Sequence, residues 1–136
     1  MKIKIKGIDH IGIAVSELQG ITKKWMELLG VENFSLEGVE SQGVEITKLQ
    51  LENGPAIELL ASTGDESPIS KFLKKKGEGI HHICFEVEEL DKTVDTLKKR
   101  GIRFVQKIPQ TGAGGARIIF IHPKEFNGVL IELKET

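Results

Sequence analysis

One short segment occurs twice in this chain of 136 residues, and the doubling restricts what the chain can fold into. Gly7-Ile-Asp-His-Ile-Gly-Ile-Ala-Val15 returns as Gly79-Ile-His-His-Ile-Cys-Phe-Glu-Val87, with a histidine at the same place in each copy, His10 and His82. A second echo follows at nearly the same offset: Ala56-Ile-Glu-Leu59 and Leu130-Ile-Glu-Leu133, which set Glu58 against Glu132. Self-similarity of this kind marks one supersecondary unit used twice.

The pattern around each copy predicts the unit. Residues 3–15 alternate: Ile8, His10, Gly12 and Ala14 face one way, and Ile11, Ile13 and Val15 the other. Ser16 stands where a helix N-cap belongs, with Gln19 as its capping-box partner. Ile21, Trp25, Leu28 and Leu29 follow at helical spacing, and Gly30 closes the helix. Strands are expected over 31–39, 44–51 and 56–61, the last two joined by an Asn53-Gly54 turn. A polar linker, 62–67, leads to a short helix over 69–75 started by Ser67-Pro68. Its Lys74-Lys75-Lys76 run reads as a solvated helix end.

The second half predicts the same order: strand 80–87, helix 88–101 with Leu90, Val94 and Leu97 buried, strand 102–108, a flexible glycine-rich loop 110–115, and strands 116–122 and 129–134. The fold expected is α+β, with two tandem βαβββ modules forming a curved mixed sheet around a metal-binding cleft. It forms a single domain over 1–136, with module one about 1–62, module two about 79–136 and a linker helix over 67–76.

The pleat bears on the chemistry. Glu58 lies between Ile57 and Leu59, Glu132 between Ile131 and Leu133, and His82 between His81 and Ile83. Each candidate ligand is therefore out of phase with the apolar neighbours that pack on a helix. Any one of them alone reads as readily as a core histidine or an edge glutamate. All four in register on a repeat point to a divalent ion, and two imidazoles with two carboxylates suit Co, Mn, Ni, Zn or Fe. His81 takes the opposite phase and reads as structural. Cys84 reads as a packing residue, and His122 and Lys124 as turn residues that either meet a substrate or hold the backbone. Glu45 reads as an exposed edge residue, or as a general base if it turns inward.

Composition excludes other classes. The net charge of −1 argues against nucleic acid and anionic membranes as partners. No apolar run approaches a bilayer span, and the Lys/Ile alternation of residues 1–7 is unlike a signal peptide. The single cysteine fits a reducing, cytoplasmic setting. With no tyrosine, a phenolic acid or base is excluded.

These residues together resemble the vicinal oxygen chelate (glyoxalase) superfamily. Within it, Ile8–Val15, Ser67–Leu73, Gly77–Cys84, Thr111–Gly115, Phe120–Lys124 and Gly128–Leu133 are similar to the methylmalonyl-CoA epimerase family. The resemblance implies one metal ion held by His10, Glu58, His82 and Glu132, an acyl-CoA thioester as substrate, and a homodimer. The implied activity is epimerisation at C2 by 1,1-proton transfer through an enolate, with no redox cofactor. It also implies a second acid near the middle of module one, so Glu132 and Glu45 are the catalytic candidates, unless an offset of one puts Ile46 in that place. Glyoxalase I (lactoylglutathione lyase) acting on a hemithioacetal is the alternative activity, followed by a non-catalytic binding or resistance module.

Overall fold

The alternation that predicts a first strand becomes β1 (Ile5–Ala14) in the computed structural model, which describes residues 2–136. Two compact units share these residues: 10–81 form one, and residues up to Asp9 with 82–136 form the other.

The 10–81 unit uses β1 from His10 onward, followed by α1 (Ile21–Leu29), β2 (Ser35–Val39), β3 (Val44–Gln50), β4 (Ala56–Ser62) and α2 (Pro68–Lys76). Its strands run in the order β2-β3-β4-β1. β1 is parallel to β4, pairing His10 with Ala56 and Gly12 with Glu58. β3 is antiparallel to β4, pairing Lys48 with Glu58 and Ile46 with Leu60, and β2 is antiparallel to β3. One face packs on α1. Val15, Leu49, Leu59 and Ala61 are buried there against Ile21, Trp25, Met26 and Leu29. Removing such side chains from water stabilises the unit by roughly 1.5–3 kcal/mol each.

The other unit repeats the plan with β5 (Gly79–Val87) from His82 onward, α3 (Leu90–Lys99), β6 (Gln110–Thr111), β7 (Arg117–Ile121) and β8 (Ile131–Glu135). The strand order is β5-β8-β7-β6, with β5 parallel to β8 and the remaining pairs antiparallel. Val87, Ile119, Ile121 and Leu133 meet Leu90 and Val94 of α3 in a second core. No helix among the described residues is long and apolar enough to cross a membrane.

Three expectations fail locally. Helix α1 starts at Ile21, not after Ser16; its N-cap is Gly20, with no side-chain hydrogen bond, so the Ser16/Gln19 capping box does not form. The Ser16 N–H is taken instead by Glu78 Oε2 at 2.8 Å, and residues 16–20 make a separate turn. Residues 102–108 form no strand; only Phe104 bridges, to Ile121. There the Phe120 N–H donates to the side-chain oxygen of Gln106 at 2.9 Å, so a side chain replaces the backbone rung. Pairing resumes at Gln110–Thr111, inside the stretch expected to be a flexible loop, and residues 113–115 make a tight turn.

Candidate metal site

Within the 10–81 unit, the strand register places His10, Gly12 and Ala14 of β1 on the same face as Ala56, Glu58 and Leu60 of β4 and Val44, Ile46 and Lys48 of β3. That face is opposite the one covered by α1. His10 and Glu58 are 5% and 6% exposed, and His10 Nδ1 lies 3.4 Å from Glu58 Oε2. Gly12 stands directly across from Glu58, so the carboxylate has no side-chain neighbour on that flank.

The other unit holds an equivalent couple. Ile131 and Leu133 of β8 turn toward the α3 core, so Glu132 between them takes the opposite face. Its strand neighbours are Cys84 on β5 and Phe120 on β7. His82 Nε2 lies 3.0 Å from Glu132 Oε1, and both residues are buried. The Phe120 ring meets the His82 imidazole edge to face at 5.7 Å and gives it an apolar wall.

A buried carboxylate is costly unless it is paired with a proton or a cation. No buried side-chain nitrogen or oxygen among the described residues lacks a partner, and here the partners are the imidazoles. The separations also suit a metal. Two donors bonded at ~2.1 Å to one ion stand about 3.0 Å apart at a right angle and about 3.4 Å apart at a tetrahedral angle. The two couples measure 3.0 and 3.4 Å.

Comparison with known proteins supplies the family. Residues 9–120 match the family model described as the Glyoxalase/Bleomycin resistance protein/Dioxygenase superfamily. The chain is 40% identical to the mitochondrial methylmalonyl-CoA epimerase of Dictyostelium discoideum, over 98% of this chain and 81% of that one. It is 39% identical to the ethylmalonyl-CoA/methylmalonyl-CoA epimerase of Cereibacter sphaeroides, over 94% and 96%. It superposes with a TM-score of 0.92 at 35% identity, over 98% and 96%, on a methylmalonyl-CoA epimerase solved in complex with methylmalonyl-CoA and NH4+. This chain belongs to the methylmalonyl-CoA epimerase family.

That family consists of isomerases, and the fold is the glyoxalase (vicinal oxygen chelate) fold that the doubled strand predicts. Glu45 takes the exposed of its two readings, not the inward one. It pairs with Ala61, which lies in the α1-facing core, so Glu45 is on the face opposite Glu58 and is exposed. Ile46 occupies the Glu58 face in its place. Two polar residues flanking an apolar one cannot be phased without knowing the register, so the sequence left this open.

The remaining candidates act on the scaffold. The half-buried His81 packs edge to face on Phe72 of α2 at 4.9 Å. His122 Nδ1 accepts the Lys124 N–H at 3.1 Å and caps the turn over residues 123–125. Cys84 is fully buried. Burial pushes its thiol up, and the Glu132 and Asp9 carboxylates push it further. It stays a neutral thiol rather than a nucleophile. One feature escaped the sequence: the part-buried ion pair between Lys134 Nζ and Asp9 Oδ2 at 3.2 Å, which joins residues near opposite ends of the chain. No local pattern announces such a pair.

Proposed function

We propose that this chain interconverts the two C2 configurations of methylmalonyl-CoA by a 1,1-proton transfer. The observation that carries this reading is the pair of buried His–Glu couples, one on the helix-free face of each unit, in a chain of this family. Each couple alone has the donor spacing of two ligands on one ion, and the repeat predicts that the four side chains serve together. His10, Glu58, His82 and Glu132 would hold one divalent ion, with Co, Mn, Ni, Zn and Fe all compatible with two imidazoles and two carboxylates. When bound, the ion supplies Lewis acidity to the thioester carbonyl oxygen, which makes C2 more acidic.

The chain's own groups handle the proton. Glu132 is the carboxylate that exchanges the C2 proton, and its place on β8 between Ile131 and Leu133, which turn toward the α3 core, fixes the face on which it acts. Loss of the proton to Glu132 leaves the thioester as an enolate; a solvent-derived proton delivered to the opposite side of C2 inverts the centre, and Glu132 releases its own proton to solvent to complete the cycle. Glu45 has no part, because its face is the wrong one.

We read the working form as a cytoplasmic homodimer. The dimer reading is supported by Ile5, which is 45% exposed on a Lys/Ile-alternating strand. Sedimentation should then give twice the chain mass.

The deciding experiment is solvent exchange. Protein supplied with one divalent metal at a time is incubated with methylmalonyl-CoA in D2O, and deuterium at C2 is followed by mass spectrometry. Enzyme-dependent incorporation is expected with at least one ion. No incorporation with any of the five would overturn the proposal, and turnover of the methylglyoxal–glutathione hemithioacetal instead would assign the glyoxalase I reaction.

A further inference from the structure

Lys48 of β3 stands directly across from Glu58 of β4, and Glu58 stands across from Gly12 of β1, so the three form one row over three strands. Directly opposed residues share a face, with Cβ atoms about 4.5–5.5 Å apart. Thr47 and Leu49, on either side of Lys48, turn the other way. Leu49 lies in the α1 core, and Thr47 Oγ1 is 3.4 Å from Thr22 Oγ1 of α1. Lys48 is thus fixed on the His10–Glu58 face by the pleat, not by a chosen rotamer.

Its neighbours on this face are Glu58 across on β4, Ser35 directly across on β2 and Glu37 one diagonal step along β2. Lys48 is half-buried, and its ammonium makes no ion pair or hydrogen bond with any described residue. The Glu58 carboxylate opposite is turned to His10, with Oε2 at 3.4 Å from Nδ1. Gln50, the next residue of β3 on this face, commits its side-chain N–H groups to the Leu51 and Gly54 carbonyls. A half-buried cation beside a ligand site, with no ion pair or hydrogen bond of its own to a described residue, is the kind of group that receives an anionic substrate oxygen.

We infer that Lys48 binds the free carboxylate of the acyl group and selects thioesters that carry it. The inference rests on the epimerase reading above. The malonyl carboxylate is attached to the reacting C2 carbon, so it must lie close to the groups that act there. The CoA phosphates lie a full pantetheine arm away, and a residue one strand from Glu58 is placed for the near anion. Lys48 touches substrate as a specificity group and moves no proton.

The test compares by calorimetry two probes that give no net product, malonyl-CoA with the carboxylate and propionyl-CoA without it. Wild type, Lys48→Met and Lys48→Arg are measured, with thermal melting as a check on folding. A hydrogen bond between charged groups is worth enough to predict about 10- to 100-fold weaker malonyl-CoA binding in Lys48→Met. Propionyl-CoA binding should change less than about twofold, and Lys48→Arg should regain most of the discrimination. Unchanged malonyl-CoA binding in Lys48→Met, or equal weakening of both probes, would overturn the inference. If wild type binds neither thioester and gives no C2 exchange, the epimerase reading itself fails, a result distinct from either of these.

Discussion

The face on which a side chain sits decides the candidate chemistry. Glu45 and Glu132 were both acids on predicted strands, yet only Glu132 is buried beside a histidine. Replacing Glu132 with Gln keeps the shape and removes the base, so C2 exchange should fall by about 10²–10⁴. Glu45→Gln should leave exchange within about twofold, since Glu45 lies across from Ala61 on the other face. Both rates come from the same deuterium assay, and a loss at Glu45 as large as that at Glu132 would contradict this assignment. Cys84 also shows the effect of position. Fully buried, it should resist iodoacetamide in the folded protein and react on unfolding.

The secondary-structure elements are held by contacts of two ranges. Helix α2 is capped locally: Ser67 Oγ accepts the Ser70 N–H at 3.1 Å, and Pro68 opens the first turn. Ser67→Ala should therefore cost about 1 kcal/mol, read from a denaturant melt. Gly43 supports the same corner; its φ is +61°, and a Cβ there would come within 2.9 Å of Ser67 Cβ. Helix α3 is capped from a distance, since the Leu90 N–H donates to Glu135 Oε2 of β8 at 3.3 Å. Arg117 links Glu135 to Asp91 of the helix, with Nη2 2.8 Å from Asp91 Oδ1. The Arg117 hydrogen bond holds the Asp91 carboxyl below its ordinary range. Its contribution is therefore complete above the unfolded carboxyl value, about 3.9, and is lost as pH falls through the lower folded value. Wild type should lose more melting temperature than Asp91→Asn between pH 5 and pH 2, measured by circular dichroism; parallel curves would remove Asp91 from the account.

For the molecule as a whole, each unit has its own core, around Leu49 and Leu59 in one and Leu90 and Ile119 in the other. Under the reading proposed above, an ion held by His10, Glu58, His82 and Glu132 would bind the folded chain and not the unfolded one. A ligand that binds only the folded state stabilises it by about 2.7 kcal/mol at one hundred times its dissociation constant. Chelation should therefore lower the melting temperature as well as stop C2 exchange, and returning one of the five metals should restore both. A chelator that stops exchange without moving the melting curve would place the metal outside this four-residue set.

The sequence by itself determined the doubled unit, the phase of Glu58 and Glu132 opposite their helix-facing neighbours, the Ser67-Pro68 start of α2 and the αL closure of α1 at Gly30. These follow from period-two alternation, repetition and short-range capping, which act within a few residues. The tertiary structure alone decided which strands pair and in what register. That register turned Glu45 away, brought Lys48 across from Glu58, joined Asp9 to Lys134 and gave α3 its cap from Glu135. It also dissolved the expected strand over 102–108, where the Gln106 side chain takes a backbone donor. Each of these depends on partners far apart in the chain, whose meeting is set by sheet pairing and core packing rather than by local propensity.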